Sequence, residues 1–133
     1  MDTNFLWGHL LSSGFFLIVG LHYWQQPPKK YDVPEAFNMP SKMAQLNEDT
    51  WNTSFQYFGK ITSISSTIFL LIGLLFSYLV ATDKYPSTKI YGLNFALAFI
   101  AMMTIGITAY AMTETYLAKT FDKNGNRRNF THR

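Results

Sequence analysis

The chain has 133 residues, 48% of them hydrophobic and 17% aromatic, with no cysteine and a formal net charge of +3. The lack of thiols excludes disulfides and thiolate metal sites, and the small charge matters only through where the positive residues lie. The apolar residues gather in three blocks without Asp, Glu, Lys or Arg: Phe5–Trp24, Ile61–Ala81 and Ile90–Met112. Each is about 20 residues, the length a helix needs to cross roughly 30 Å of hydrocarbon. The fold class read from this pattern is an all-α membrane protein with three transmembrane helices in one domain over 1–133, with no room for a second domain.

The first block follows a leader that holds Asp2 and no Lys or Arg, and it closes on "LHYWQQPP". Neither feature suits a cleaved signal, so a retained membrane helix is expected. Trp7 and Trp24 bracket it, seventeen steps or about 25 Å apart, one near each interface. His9 and His22 lie on the same helix about 20 Å apart. They cannot share a metal or a haem, and headgroup-level placement is favoured over axial ligation of separate haems.

A loop over 25–47 follows, with Pro27, Pro28, Pro34 and Pro40. Prolines at that density favour extended segments over helix. Its apolar members, Met43 and Leu46 among them, suggest a loop that packs down onto the membrane face.

The second helix is expected to begin before its apolar block. Asn47 is a candidate cap, and Glu48 and Asp49 complement the helix dipole. Trp51, Phe55, Phe58 and Thr62 fall on one stripe, with Asn52, Gln56 and Lys60 opposite. Continued to Ala81, this helix runs about 50 Å, so its amphipathic start must lie in the headgroups or the cytoplasm. Gly59 is a candidate kink. The stripe is expected to face lipid or a neighbouring helix, and Trp51, Tyr57, Tyr110 and Tyr116 to form the inner aromatic belt, with Tyr78 and Tyr91 at the outer hairpin.

That hairpin, "TDKYPSTK", is short. In the third block Thr104 and Thr108 are expected to bond backbone carbonyls of their own helix. Small residues recur at four-residue spacing: Gly59, Ser63 and Thr67; Gly73, Ser77 and Ala81; Gly92 and Ala96; Ala98, Met102 and Gly106. Such rows let membrane helices approach closely, and internal packing is favoured over a partner surface.

Glu114 follows the third block and Lys60 precedes the second. Both are placed at the edge of the bilayer, where they either form an interhelical ion pair or snorkel independently. The tail over 117–133 is basic. Asn124-Gly125 is a turn signal. "DKNGN" fails as a calcium loop, because its glycine comes too early and Arg133 stands where a bidentate Glu is needed. Its basic residues are expected to face anionic headgroups.

Three spans put Lys84 and Lys89 on one side. Lys29, Lys30, Lys42, Lys60, Lys119, Lys123, Arg127, Arg128 and Arg133 fall on the other. This bias places the N-terminus outside and the loop and tail in the cytoplasm. No Ser-His-Asp set, phosphate loop or pair of intramembrane carboxylates is present. The expectation is therefore no enzyme, no cofactor, no metal and no nucleic-acid partner.

Pro27, Pro28, Lys29 and Lys30, then Met43, then Trp51, Gly59 and Lys60 stand in an order that resembles the SdpI family of small bacterial membrane proteins. The most specific piece is the tail: Thr113, Glu114, Leu117, Lys119 and Phe121 to Arg127, Asn126 included. At Ala36, Phe37, Asn38 and Met39 the arginine of the family is absent. The resemblance implies a three-helix protein of the bacterial cytoplasmic (inner) membrane that gives tolerance to a membrane-active peptide toxin by binding it within the bilayer. Two other readings stay open: an accessory subunit of a larger membrane complex, and a small protein that binds a cytoplasmic regulator.

Overall fold

The computed structural model describes residues 4–29, 41–82 and 87–129. Lys30, Pro34, residues 36–39, Pro40, Lys84, His132 and Arg133 lie outside the described residues, as do the surroundings of Tyr91 and Gly92. Three helices follow in chain order: α1 (Asn4–Gln25), α2 (Glu48–Ala81) and α3 (Ser87–Thr120). Helices α1 and α2 match the expected bounds, and α2 runs unbroken through Gly59. Helix α3 continues past its apolar block to Thr120. At 34 residues each, α2 and α3 are about 51 Å long. Among the described residues one stretch, Glu48–Leu79, is long and apolar enough to cross a membrane, and only 22% of its apolar window is buried.

Helices α1 and α2 are antiparallel, and glycine sets their approach. Gly59 lies against α1 so closely that an added Cβ would sit 2.5 Å from the backbone N of Trp24 and 2.6 Å from the carbonyl O of Gly20. One at Gly20 would meet Ser63 at 2.7 Å. Gly59 is thus a point of close helix contact, in place of the kink expected there. Near the other end, Gly73 makes room for the ring of His9. His9 is 5% exposed, so it belongs to the helix interface, whereas His22 is exposed.

Helix α3 runs antiparallel to α2. Its inner row is Ala101, Ile105, Ala109, Thr113 and Leu117, all buried and spaced at the four-residue interval of one helix face.

Through the middle of the bundle the usual burial is inverted. Ser13, Thr62, Ser63, Ser66 and Thr113 are buried, while Leu11, Phe15, Ile18, Ile64, Ile68, Leu71, Leu75, Ile100, Met103 and Ile107 are exposed. Several of the polar side chains are satisfied within their own helix. Ser63 Oγ donates to Gly59 O at 2.7 Å, Ser77 Oγ to Gly73 O at 2.8 Å and Thr113 Oγ1 to Ala109 O at 2.7 Å. On α3 this back-bonding is made by Thr113, Thr115 and Thr120; Thr104 and Thr108, where it was expected, are exposed and do not make it.

At the end where α1 finishes, α2 starts and α3 finishes, burial is conventional. Ala44, Trp51, Phe55, Leu117 and Phe121 form a hydrophobic cluster, with Tyr23, Met43 and Phe58 packed against it. Of the two faces expected for the stripe, lipid or a neighbouring helix, it takes the second, with Leu117 of α3 and Tyr23 of α1 packed on it. Trp51, expected in the aromatic belt, is 2% exposed. Trp7, Trp24 and Tyr78 are exposed as a belt requires.

Candidate functional site

The folded end is built around the first turn of α2. Asn47 caps the helix: its Oδ1 accepts Thr50 N–H at 2.9 Å, and Thr50 Oγ1 accepts Asn47 N–H at 3.0 Å. This reciprocal pair satisfies backbone donors that a helix start leaves open. The second arm of the same side chain, Asn47 Nδ2, donates to Gly125 O at 2.9 Å. One residue thus starts α2 and anchors the tail.

The tail after α3 is a folded turn. Phe121 and Arg127 bridge as antiparallel neighbours. Asp122 Oδ1 accepts the N–H groups of Asn124 at 2.8 Å and Asn126 at 2.9 Å, and these backbone bonds hold its carboxyl below the usual carboxylate range. Gly125 has φ of +80°, and a Cβ there would lie 2.6 Å from Asn47 Nδ2. Conformation and space both demand glycine.

Arg127 then reaches α2. Its Nε donates to Asp49 Oδ2 at 2.8 Å and its Nη2 to Asp49 Oδ1 at 2.7 Å, a forked ion pair. The hydrogen bonds from Arg127 lower the Asp49 carboxyl, and Asp49 in turn raises the guanidinium. Arg127 thus holds the tail to α2, and Arg128 serves the turn, its Nε donating to Phe121 O at 2.9 Å. The 25–47 loop is tied in at Trp51, whose Nε1 donates to Pro28 O at 2.8 Å.

Beside this knot lies an open groove of about 530 Å³, lined by Ser41, Lys42, Met43, Tyr110, Glu114 and Lys123 among others. The Oε1 atom of Glu114 is buried and has no hydrogen-bond partner. A buried acceptor left without a donor costs on the order of 1–3 kcal/mol, more when charged. Glu114 thus lines the groove with one carboxyl oxygen turned into the protein, and Lys42 and Lys123 stand in the same lining.

Of the residues singled out in the sequence, Pro28 meets Trp51, and Met43 and Glu114 share the groove. Pro27 is half-buried beside Pro28, and Lys29 is exposed. Asn126 is exposed and spends its backbone on the turn. Gly59 serves helix contact. Lys60 is exposed on another face, beside Trp24, Thr53, Gln56, Tyr57 and Tyr116. The ion pair between Lys60 and Glu114 is not formed; among the described residues the ion pair is Arg127 with Asp49. Its place at the α2–α3 contact is taken by Tyr57 and Tyr116, stacked at 4.2 Å with planes 1° apart. Glu114 and Tyr116 are two positions apart, about 200° round the helix, so Glu114 is turned away from Lys60.

Sequence reasoning missed the Asp49–Arg127 pair, the Asn47–Gly125 anchor and the tyrosine stack. Only Phe121 carried a readable signal, standing four residues after Leu117 on the buried row of α3.

Among the described residues no group of three His, Asp or Glu side chains is placed to hold a metal ion. Comparison with protein-family models, curated proteins and solved structures gives no match.

Proposed function

We propose that the chain is a three-pass protein of the bacterial inner membrane that works by binding, with its N-terminus outside and its folded end in the cytoplasm. The observation that carries this reading is the inverted burial of the bundle. Large apolar side chains cover the outside of all three helices, and the inside holds serines, threonines, glycines and a histidine beside the alanines and Ile105 of α3. Water would penalise that arrangement by about 25 cal/mol for each Å² of exposed apolar surface. Lipid does not, and in lipid small residues are what bring helices together. The excess of Lys and Arg near the folded end supports the orientation. Helices α2 and α3, longer than the hydrocarbon is thick, supply stems that carry the folded end clear of it.

The SdpI resemblance gives the reading its most specific form, tolerance to a membrane-active peptide held against the lipid-facing helix surface. Expression in a toxin-sensitive host tests it. Survival that rises with expression is expected, and unchanged killing at good expression removes toxin tolerance while leaving the membrane topology standing.

A further inference from the structure

We propose that the Glu114 groove binds the headgroup of an aminophospholipid, with the ammonium at Glu114 and the phosphate at Lys42 and Lys123. The assignment rests on the membrane reading above. It begins from charge complementarity. Glu114 and two lysines, Lys42 and Lys123, share the lining of the groove. Neither lysine bonds Glu114, since no ion pair joins them. A ligand that carries an ammonium with N–H donors and a phosphate within the span of one headgroup satisfies both ends. A simple anion leaves Glu114 repelled, and a simple amine leaves the lysines without a partner.

The second observation is what the groove opens onto. From Glu114, the positions four, seven, eleven and fourteen residues earlier on α3 are Tyr110, Ile107, Met103 and Ile100. They lie on one helical stripe, and all four are exposed, at 37%, 63%, 52% and 57%. The stripe is about 15 Å long from Tyr110 to Ile100. It leads from the charged mouth along the apolar outside of the bundle, the path an acyl chain takes below its own headgroup. Tyr110 stands at the junction, an aromatic ring suited to the boundary between headgroup and hydrocarbon.

Phosphatidylcholine separates this binding from general lipid affinity. It has the same net charge and the same chains as phosphatidylethanolamine, but its quaternary ammonium has no N–H to donate. The experiment is native mass spectrometry of the full chain released from detergent, titrated with dioleoyl-phosphatidylethanolamine or dioleoyl-phosphatidylcholine. Retention of phosphatidylethanolamine about tenfold tighter is expected, the value of one charged hydrogen bond. Glu114→Gln is expected to cut that preference, and Lys123→Ala to weaken both lipids alike through the shared phosphate. Equal retention of the two lipids by the unaltered chain would overturn the assignment, with no dependence on how any variant folds. So would an undiminished preference in Glu114→Gln. Displacement by equimolar glycerophosphoethanolamine would assign the groove to a soluble phosphoamine and overturn the lipid. Flotation with vesicles of either lipid reads the membrane placement separately: a chain that does not float contradicts that placement, and one that floats without preference contradicts only the groove.

Discussion

Around Gly20, Ser63 and Gly73 the helices bury glycine, serine and histidine and turn isoleucine, leucine and phenylalanine outward. Around Trp51, Phe55 and Phe121 they bury aromatic rings and turn Asn52, Gln56 and Lys60 outward or to the margin. Both regions border the same helix, α2, on which Phe55 and Ser63 stand about 2.2 turns apart. The difference shows which force holds each. In the bundle, lipid would be as apolar as the side chains it touches, so close backbone approach supplies the attraction. In the folded end, removal of aromatic surface from water supplies it. Hydrogen bonding divides the same way. In the bundle Ser63, Ser77 and Thr113 bond back to their own helix, whereas Asn47, Asp49 and Trp51 reach across to other segments.

Phe121→Ala sharpens the comparison most. It removes a fully buried ring from the folded end and is expected to cost about 3–5 kcal/mol there. Limited proteolysis should then cut near Thr120–Asn129 while the helices stay in the membrane fraction. Ile107→Ala, on the outer face of α3, should leave the tail as protected as before. Next in size is Gly59→Leu. With backbone at 2.5 Å from the new Cβ, overpacking is expected to cost about 1–3 kcal/mol, read as a lower detergent-melting temperature without tail release. Trp51→Phe keeps an aromatic ring but drops the pyrrole half of the indole and with it the bond to Pro28 O; the bond alone is a loss of about 0.5–1.5 kcal/mol, read as faster hydrogen exchange in the loop before α2.

Asp49→Asn is expected to have the smallest effect, about 0.2–1 kcal/mol, because the pair with Arg127 is largely exposed. Its signature is pH. Arg127 holds the Asp49 carboxyl below its ordinary value of 3.8. The pair therefore contributes fully above that value, and the contribution is lost as pH falls through the lowered one. Asp49→Asn should abolish that part of the acid sensitivity, and added salt should mimic it at neutral pH.

What could be read in the sequence follows from which forces are local. The three apolar blocks, the Asn47 cap and the Asn124-Gly125 turn are local features, and the helix bounds, first turn and tail reversal follow them. The partner of each helix face is not local. The Trp51 stripe is visible in the sequence, yet its covering by Leu117 and Phe121 comes from a segment distant in the chain. Asp49 and Arg127 are 78 residues apart, and nothing in either neighbourhood marks the other. Lys60 and Glu114 were paired by depth alone; depth fixes height along a helix and not direction round it. In the groove, Met43 and Glu114 were each visible as unusual residues, but their meeting depends on how the loop returns over α3.

The central claim is that the bundle lies in lipid with the folded end inside the cell. Because the chain has no cysteine, single cysteines report it directly. Thr82→Cys and Lys123→Cys should be compared for labelling by a membrane-impermeant maleimide in intact cells and after lysis. The account expects Thr82→Cys to label in intact cells and Lys123→Cys only after lysis. The reverse pattern, equal labelling in intact cells, or a chain that leaves the membrane fraction without detergent would contradict it.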